Sequence, residues 1–195
     1  MDGVHILLDG VCQEISPYLS TPAEERKRLT SLWPDAVCFS HTHEDHFCSQ
    51  YAAAYKAATG QESIIPTGEG EWATGNVYIT AVPTRHLGKA GTNTAHCSFV
   101  IQGSKTIWVM GDAAPTQLRK LEHFPQPDVL VVPFAYLATE SAVAMLQLYL
   151  PCHIVLVHMP LRDNDPDGIW NAVAPGMAQL KKYIHVPAMG ETITL

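Results

Sequence analysis

The sequence predicts a single domain of the α/β class. Short β-rich runs alternate with helical runs along the chain, and this alternation is typical of folds that combine a sheet with helices. The 195 residues, of which 47% are hydrophobic and 16% charged, suffice to bury a core and differ in composition from disordered chains. Because no repeat, low-complexity segment or linker interrupts the pattern, we expect residues 1–195 to form one domain.

The elements of the first half follow from apolar runs and the residues that flank them. Short apolar runs predict buried strands, and a Thr-Pro pair predicts a helix start with Thr as the cap. An Ala-rich stretch that ends at Gly60 predicts a second helix. The predicted strands are Val4–Asp9, Asp35–Phe39, Asn76–Pro83, and a hairpin of Cys97–Gln102 with Lys105–Met110; the helices begin at Thr21 and cover Ser49–Ala58.

The elements of the second half are predicted from the same signals. Thr139 before Glu140 marks the start of a helix that reaches Leu150. Further helices are predicted near Pro115–His123 and over Ile169–Tyr183, and strands at Val129–Val132, Ile154–Val157 and near Glu191–Thr194. The alternation therefore continues to the end of the chain.

Charge and cysteine content narrow the possible partners. The formal net charge is -7 and no Lys/Arg-rich run is present, so the sequence offers no electrostatic footprint for nucleic acid. No apolar run has the length of a membrane span, and the first residues lack the features of a signal peptide. Five cysteines without a CxxC pair are typical of reduced thiols. We therefore expect a cytoplasmic protein that acts on a small molecule and binds neither nucleic acid nor membrane.

The densest group of chemically active residues is the segment His41-Thr42-His43-Glu44-Asp45-His46, which follows a predicted buried strand. Imidazole and carboxylate groups are the ligands of zinc, iron and related metals. Packing alone does not explain the cluster, since each buried polar ring would need a hydrogen-bond partner. In an extended loop His41 and His43 point the same way, whereas Asp45 and His46 project differently. Two directions from one loop favour two adjacent metal ions over one.

Further metal ligands are predicted where other strands end. His86, Asp112 and His158 each follow an apolar run at its C-terminal end, the place where loops of α/β proteins build sites. His96 competes with His86, and His153 competes with His158, but both competitors precede a strand. Strand direction therefore favours His86 and His158.

Taken together, these residues resemble the signature of the metallo-β-lactamase superfamily. That signature is HxHxDH after a strand, then a distant His, then an Asp after a Gly, then a final His. These places are occupied, in order, by the segment from His41 to His46, by His86, by Gly111-Asp112 and by His158. The resemblance spans essentially the whole chain and implies a four-layer αββα sandwich with a dinuclear site at one edge of the sheets.

The resemblance also implies a ligand set and a mechanism. It assigns His41, His43 and His86 to one metal, Asp45, His46 and His158 to the second, and Asp112 to both. Two divalent ions, zinc before manganese or iron, would share a water molecule, lower its pKa and hold it as hydroxide. The hydroxide would attack a carbonyl or phosphoryl centre while a metal stabilises the oxyanion. Asp45 and Asp112 are the implied catalytic residues, and Asp45 could accept a hydrogen bond from the nucleophile.

Within the superfamily, the sequence is similar to the short bacterial branch that includes L-ascorbate-6-phosphate lactonase. The similarity lies in Thr84-Arg85-His86, Gly111-Asp112 and Thr139-Glu140-Ser141-Ala142. This branch implies hydrolysis of an ester, lactone or phosphodiester bond in a small anionic metabolite. Two alternatives stand beside it: a mononuclear iron persulfide dioxygenase, and a non-catalytic metal-binding protein that retains the fold.

Residues beside the predicted ligands are candidates for substrate binding. Arg85 and His96 flank the His86 loop, and Tyr136 lies between two ligand segments, where it could donate a hydrogen bond to an oxyanion. Arg162 could contact an anion. Further candidates in the same loop as His86 are Lys89, Thr92 and Asn93.

The segment Asp163–Gly168 is similar to the start of a calcium-binding EF-hand loop. Ala174 stands where the bidentate Glu is required, and Pro166 lies inside the segment. A capped turn after the last ligand is therefore predicted in place of a calcium site.

The N-terminus departs from the family pattern. Members usually begin with a hairpin strand before the segment that here reads Ile6-Leu7-Leu8-Asp9, so the chain from Met1 is expected to lack the first strand or strands. The sheet would then have an exposed edge. Either a second copy of the chain covers that edge in a homo-oligomer, or the start at Met1 is short and active-site groups that the hairpin would supply are missing.

Overall fold

The computed structural model describes residues 2–15, 17–88, 94–151 and 153–194. Strands and helices alternate in these ranges, as the α/β prediction requires. The strands are β1 (Ile6–Leu8), β2 (Ala36–Cys38), β3 (Gly70–Thr74), β4 (Val77–Pro83), β5 (Cys97–Gln102), β6 (Thr106–Val109), β7 (Val129–Pro133), β8 (His153–Val157) and β9 (Ile184–His185). The α-helices are α1 (Ala23–Ser31), α2 (Ser49–Thr59), α3 (Glu140–Gln147) and α4 (Ile169–Gln179), with 3-10 helices at Pro115–Leu121 and Phe134–Tyr136.

The strands form a small sheet and a large sheet. Strands β1 and β2 pair in parallel, and β3 to β9 form a seven-stranded sheet in the order of the chain. The large sheet is antiparallel from β3 to β6 and parallel from β6 to β9. Because β4 and β6 are each antiparallel to β5, they run in the same direction and end at the same edge. Loops that follow several strands therefore meet at one edge.

The two sheets and the helices form the four-layer αββα order. Between the sheets lies a cluster that joins Ala36 and Cys38 of β2 to Ile79 and Phe99 of the large sheet. The outer face of the small sheet packs against α1 and α2, and the other face of the large sheet packs against the 3-10 helices, α3 and α4. The fold class predicted by the sequence is confirmed, with a small sheet that has two strands in the described part of the chain.

Helix ends mostly follow the predicted capping residues. The Thr139 hydroxyl accepts a hydrogen bond from the backbone N–H of Ala142, and Gly60 ends α2 in the left-handed conformation. In α1 the structure differs, because Pro22 takes the cap position and the Thr21 hydroxyl accepts from Cys12 N instead. Among the described residues no helix combines the length and the apolar character needed to span a membrane.

Strand predictions are wrong in three places. Strands β3 and β9 were not predicted, since β3 alternates around a single Trp72 and β9 has two residues. The strand predicted near Glu191–Thr194 is absent from the described residues; this segment is irregular and begins with a turn in which Glu191 N donates to Ala188 O. The β-branched residues there pair with none of the strands in the described ranges, and pairing decides strand formation more than propensity does.

Candidate metal centre

The loops that follow β2, β4, β6 and β8 carry the candidate ligands to one edge of the sheets. Two backbone hydrogen bonds join these loops. The N–H of Cys97, the first residue of β5, donates to Ser40 O at 2.9 Å, and Leu87 N donates to Asp112 O at 2.6 Å. The segments that follow β2, β4 and β6 are therefore held together at this edge.

Three histidines form the first group of ligand atoms. His41 Nε2 lies 3.0 Å from His43 Nδ1 and 3.2 Å from His86 Nε2. His41 is buried, His86 is half-buried and His43 is exposed. Three imidazole nitrogens that converge in this way could hold one metal ion.

A carboxylate and two histidines form the second group. His158 Nε2 lies 3.2 Å from Asp45 Oδ2, and His46 Nε2 lies 3.7 Å from the same oxygen. Their polar atoms are close enough to hold a second ion. Asp45 and His46 thus belong to a second group, but His46 does not project away from His41 as the loop geometry predicts. The two rings lie 4.2 Å apart between centroids, and both are close enough to Asp112 to share an ion with it.

Asp112 lies between the two groups. Its Oδ2 is 3.6 Å from His86 Nε2 in the first group, and 3.5 Å from His46 Nε2 and 3.6 Å from His158 Nε2 in the second. One carboxylate is therefore within reach of ions at both positions. The structure brings together all seven residues that the sequence singles out as ligands.

Hydrogen bonds orient three of the rings toward the cluster. The Nδ1 atoms of His41, His46 and His86 lie 2.9 Å from Ser40 Oγ, 3.0 Å from Asp9 Oδ2 and 2.5 Å from Leu87 O. Partners on Nδ1 leave each Nε2 directed at the other candidate ligands. Metal-binding histidines are commonly held in this way.

Electrostatics at the centre favour a cation. Burial acts to raise the pKa of Asp112, but the nearby His46, whose Nε2 lies 3.5 Å from Asp112 Oδ2, and the charge of His158 hold it below its ordinary value. Burial acts to lower the pKa of His46, but Asp112 and Asp9 together raise it to about 10. Burial lowers the pKa of His41 to about 2, so its ring is neutral and has a lone pair to donate. The carboxylates thus stabilise positive charge here.

Two buried histidine nitrogens without hydrogen-bond partners bear on whether these residues suit a metal ion. His46 Nε2 and His158 Nδ1 are buried and have no hydrogen-bond partner among the described residues. Leaving a buried polar atom unpaired costs about 1–3 kcal/mol. A cation bound to His46 Nε2, which faces Asp45 and Asp112, would remove that cost at this atom. The donor set therefore fits divalent metal.

Strained backbone lies at the same edge. His158 and Asp9 have φ angles of 58° and 46°, which non-glycine residues rarely adopt. Gly111 has φ 53°, and a Cβ there would lie 2.8 Å from both His96 Nε2 and Ser40 Cβ. Only glycine fits this position without displacing the loop that carries Asp112.

Two of the predicted substrate contacts lie in the supporting network. The buried His96 accepts a hydrogen bond at Nε2 from Asp112 N at 2.9 Å, and its Nδ1 lies 2.8 Å from Thr84 Oγ1. Tyr136 is fully buried, and its hydroxyl donates to Ala114 O at 3.3 Å. Both side chains are occupied by the protein itself, which differs from the predicted role in substrate binding.

The predicted cationic contacts lie at the periphery. The Arg162 guanidinium stacks on the Trp170 ring at 3.7 Å, and the Arg85 side chain is exposed. Lys89, Thr92 and Asn93 fall outside the described residues. The structure therefore brings neither arginine into contact with the ligand cluster.

Two residues of the site were not predicted. Asp9 directly follows β1 and bonds to Ser40 and His46, and the Tyr18 ring packs edge to face with His158 at 4.3 Å between centroids. Burial, followed by the charges of Asp112 and Asp45, raises the pKa of Tyr18 to about 12. Asp9 follows an apolar run, the same signal that selects His86; no local signal marks Tyr18.

Comparisons with known proteins agree with this architecture. The family described as "Beta-lactamase superfamily domain" matches residues 1–156. Igni18, a novel metallo hydrolase from the hyperthermophilic archaeon Ignicoccus hospitalis, is similar with 19% identity and a TM-score of 0.63, over 99% of this chain and 91% of that one. The metallo-beta-lactamase fold protein YhfI from Bacillus subtilis has 13% identity and a TM-score of 0.54, over 96% and 97%.

A third similar structure has a different activity. CmlA, a diiron beta-hydroxylase from Streptomyces venezuelae, has 12% identity and a TM-score of 0.56, over 96% of this chain and 50% of that one. At these identities the likeness concerns the fold alone. A comparison with curated proteins finds no significant match.

Proposed function

The chain belongs to the beta-lactamase superfamily in its metallo-β-lactamase form, and from this premise we propose that it is a metal-dependent hydrolase. The bond cleaved is an ester, lactone or phosphodiester bond of a small molecule. The observation that carries the proposal is the position of Asp112 Oδ2, within 3.6 Å of histidine nitrogens from both ligand groups. A carboxylate between two sets of ligands is suited to a two-metal site.

We propose that two divalent cations bind here, zinc before manganese or iron. His41, His43 and His86 would hold one, Asp45, His46 and His158 the other, and Asp112 would contact both. Bound cations would supply the Lewis acidity that makes water a nucleophile near neutral pH. Asp45 has a lowered pKa, because His158 and His46 outweigh the effect of its burial. It therefore stays ionised and can accept a hydrogen bond from the attacking water.

Two alternative functions differ from this proposal in metal content or turnover. A mononuclear iron dioxygenase needs one set of ligands, whereas the Asp45, His46 and His158 group offers a second set. A non-catalytic binding protein would not need the strained backbone at His158. Both observations favour the two-metal hydrolase.

Metal analysis together with a substrate screen tests the proposal. Purified protein reconstituted with zinc is expected to hold about two ions per chain and to hydrolyse members of an ester, lactone and phosphodiester panel. Asp112→Ala, which removes the carboxylate between the groups, is expected to lower kcat/KM by about 100-fold or more. Asp163→Ala, an exposed aspartate outside the cluster, is the matched control and is expected to keep full activity.

Two outcomes would overturn the proposal. One iron per chain with sulfur oxidation and no hydrolysis would support the dioxygenase. Metal binding without turnover on any substrate class would support the binding protein.

We also propose a cytoplasmic location. Support comes from Cys12, Cys38, Cys48 and Cys97, which are free thiols in the described part of the chain. Reduced thiols are typical of that compartment.

A further inference from the structure

A cavity of about 520 Å³ opens directly onto the ligand cluster. At one end it is lined by Asp45, His46, Asp112 and His158. This volume lies within the range of small-molecule sites, about 300–1,000 Å³. The cavity is therefore the place where a substrate of the proposed hydrolase would lie against the metal ligands.

Beyond the ligand cluster the cavity wall is largely aliphatic and lies between the two sheets. The small sheet contributes Ile6, Leu7 and Leu8, and the large sheet contributes Val109, Val131 and Val157. These large-sheet valines lie on β6, β7 and β8, with side chains facing the small sheet. A group that occupies this part of the cavity must be apolar to gain free energy from binding.

Positive charge from Lys or Arg is lacking from the described part of the cavity wall. Among the described residues that line it there is no Lys or Arg, and the charged oxygens belong to Asp9, Asp45 and Asp112. Arg162 is held on Trp170, outside this wall. An anionic group far from the metals would meet no Lys or Arg on this wall, whose other polar side chains are Cys12 and Tyr18, and desolvating a charge without a cationic partner is costly. The walls thus disfavour the anionic metabolite that the branch resemblance implies.

We propose that the substrate is an uncharged ester or lactone whose acyl portion is apolar and lies on Val109, Val131 and Val157. The assignment rests on the proposed hydrolase function. Water oxygen bonds to the carbonyl carbon, the C–O bond to the alcohol breaks, and the alcohol oxygen takes up a proton. An ester gives a carboxylate and a separate alcohol, and a lactone gives a single hydroxycarboxylate; in both cases the acid proton passes to solvent. The carbonyl lies at the ligand cluster and the acyl chain extends between the sheets.

A series of 4-nitrophenyl esters on the zinc-loaded protein tests the proposal. From acetate to hexanoate, kcat/KM is expected to rise about two- to fourfold per methylene, the scale of burying a CH₂ group. The butyrate ester is expected to exceed the hemisuccinate ester, which has the same chain length and a negative charge, by at least about tenfold. Equal rates along the series, or preference for the charged ester, would overturn the assignment while the hydrolase proposal stands.

A matched pair of variants locates the acyl group. Val157 and Val155 are on the same face of β8, but Val157 lines this cavity and Val155 lines the neighbouring groove. Val157→Phe is expected to lower the hexanoate-to-acetate ratio of kcat/KM at least about tenfold by filling the cavity. Val155→Phe is expected to leave the ratio unchanged. A ratio that falls equally in both variants would overturn the placement.

Calorimetric titration with butyrate, hexanoate and octanoate gives a readout that does not depend on turnover. The affinity of the zinc-loaded protein for these carboxylates is expected to rise with their chain length. In Val157→Phe we expect the affinity to be independent of chain length. If no ester, lactone or phosphodiester is hydrolysed but this rise is present, the hydrolase proposal fails and the apolar cavity assignment survives. If affinity is independent of chain length, the cavity assignment fails whatever the activity.

Discussion

At the scale of single residues, Asp9 ties the small sheet to the metal centre. Its carboxylate accepts hydrogen bonds from Ser40 N at 2.7 Å and Ser40 Oγ at 2.6 Å, and lies 3.0 Å from His46 Nδ1. It does so from a left-handed backbone, with φ 46°. One side chain therefore fixes both the start of the HxHxDH loop and the direction of the His46 ring.

Replacing Asp9 should weaken metal binding without removing a ligand. Asn tolerates the left-handed backbone, but the amide carries no charge to stabilise His46. Asp9→Asn is expected to lower metal affinity about 10- to 100-fold, measured by competition with a chromophoric chelator. Asp35→Asn is the control, since Asp35 also accepts a backbone hydrogen bond at the small sheet, from His5 N. Equal affinities of the Asp9 variant and wild type would contradict this role.

Site residues could be predicted from the sequence where they follow an apolar run that predicts a strand. His86, Asp112 and His158 follow apolar runs, and the structure brings them to the same edge as the HxHxDH loop. Asp9 meets its partners across 31 and 37 positions, so only the folded chain shows its role. His96 has the composition of a site residue, but burial and its bond to Asp112 N give it a supporting role.

At the scale of elements, Asp165 stabilises the start of α4. In the sequence this residue belongs to the segment that is similar to the start of a calcium-binding loop. The Asp165 carboxylate accepts hydrogen bonds from Ile169 N at 2.8 Å and Trp170 N at 2.9 Å. These are two of the N–H groups that a helix start leaves without intrahelical partners. The predicted capped turn is therefore present, and the same loop places Arg162 on Trp170.

Removing this cap should destabilise the protein by a measurable amount. Asp165→Ala is expected to lower the free energy of unfolding by about 1–2 kcal/mol, measured by urea denaturation. Asp163→Ala, in the same loop, is expected to change it by less than about 0.5 kcal/mol. Similar losses in the two variants would show that the cap contributes little.

Elements were predictable where the signal is local. Gly60 in the left-handed conformation ends α2, and the Thr139 hydroxyl caps α3, as their residue types predict. The two residues of β9 form a strand because they pair in parallel with β8, a partner that the local sequence does not reveal. The segment near Glu191–Thr194 has strand-forming residues but pairs with no strand in the described part of the chain.

At the scale of the whole molecule, the small sheet has an edge available for pairing. His5 O and Asp9 N bond to β2, so alternation along β1 directs the backbone groups of Ile6 and Leu8 to the opposite side. Among the described residues, no strand pairs with that side. We propose that β1 of a second copy pairs there, because two identical edges related by a two-fold axis satisfy each other.

The proposed dimer predicts the mass in solution. Light scattering is expected to give about twice the chain mass of 21.4 kDa. Ile6→Pro removes an N–H on the open side while leaving the bonds of His5 and Asp9 to β2, and proline is tolerated on edge strands. This variant is expected to have the mass of one chain. A single-chain mass for the wild type at micromolar concentration would contradict the pairing.

The metal centre joins distant parts of the chain, and this has a consequence for folding kinetics. His158 and Asp45 meet across 113 positions, so the centre closes a loop through more than half of the chain. Closing such a loop costs conformational entropy before any contact offsets that cost. We therefore expect the centre to form after the transition state of folding. Interactions that form so late slow unfolding more than they speed folding. A bound ion would then slow unfolding, and its removal would shorten the lifetime of the folded chain.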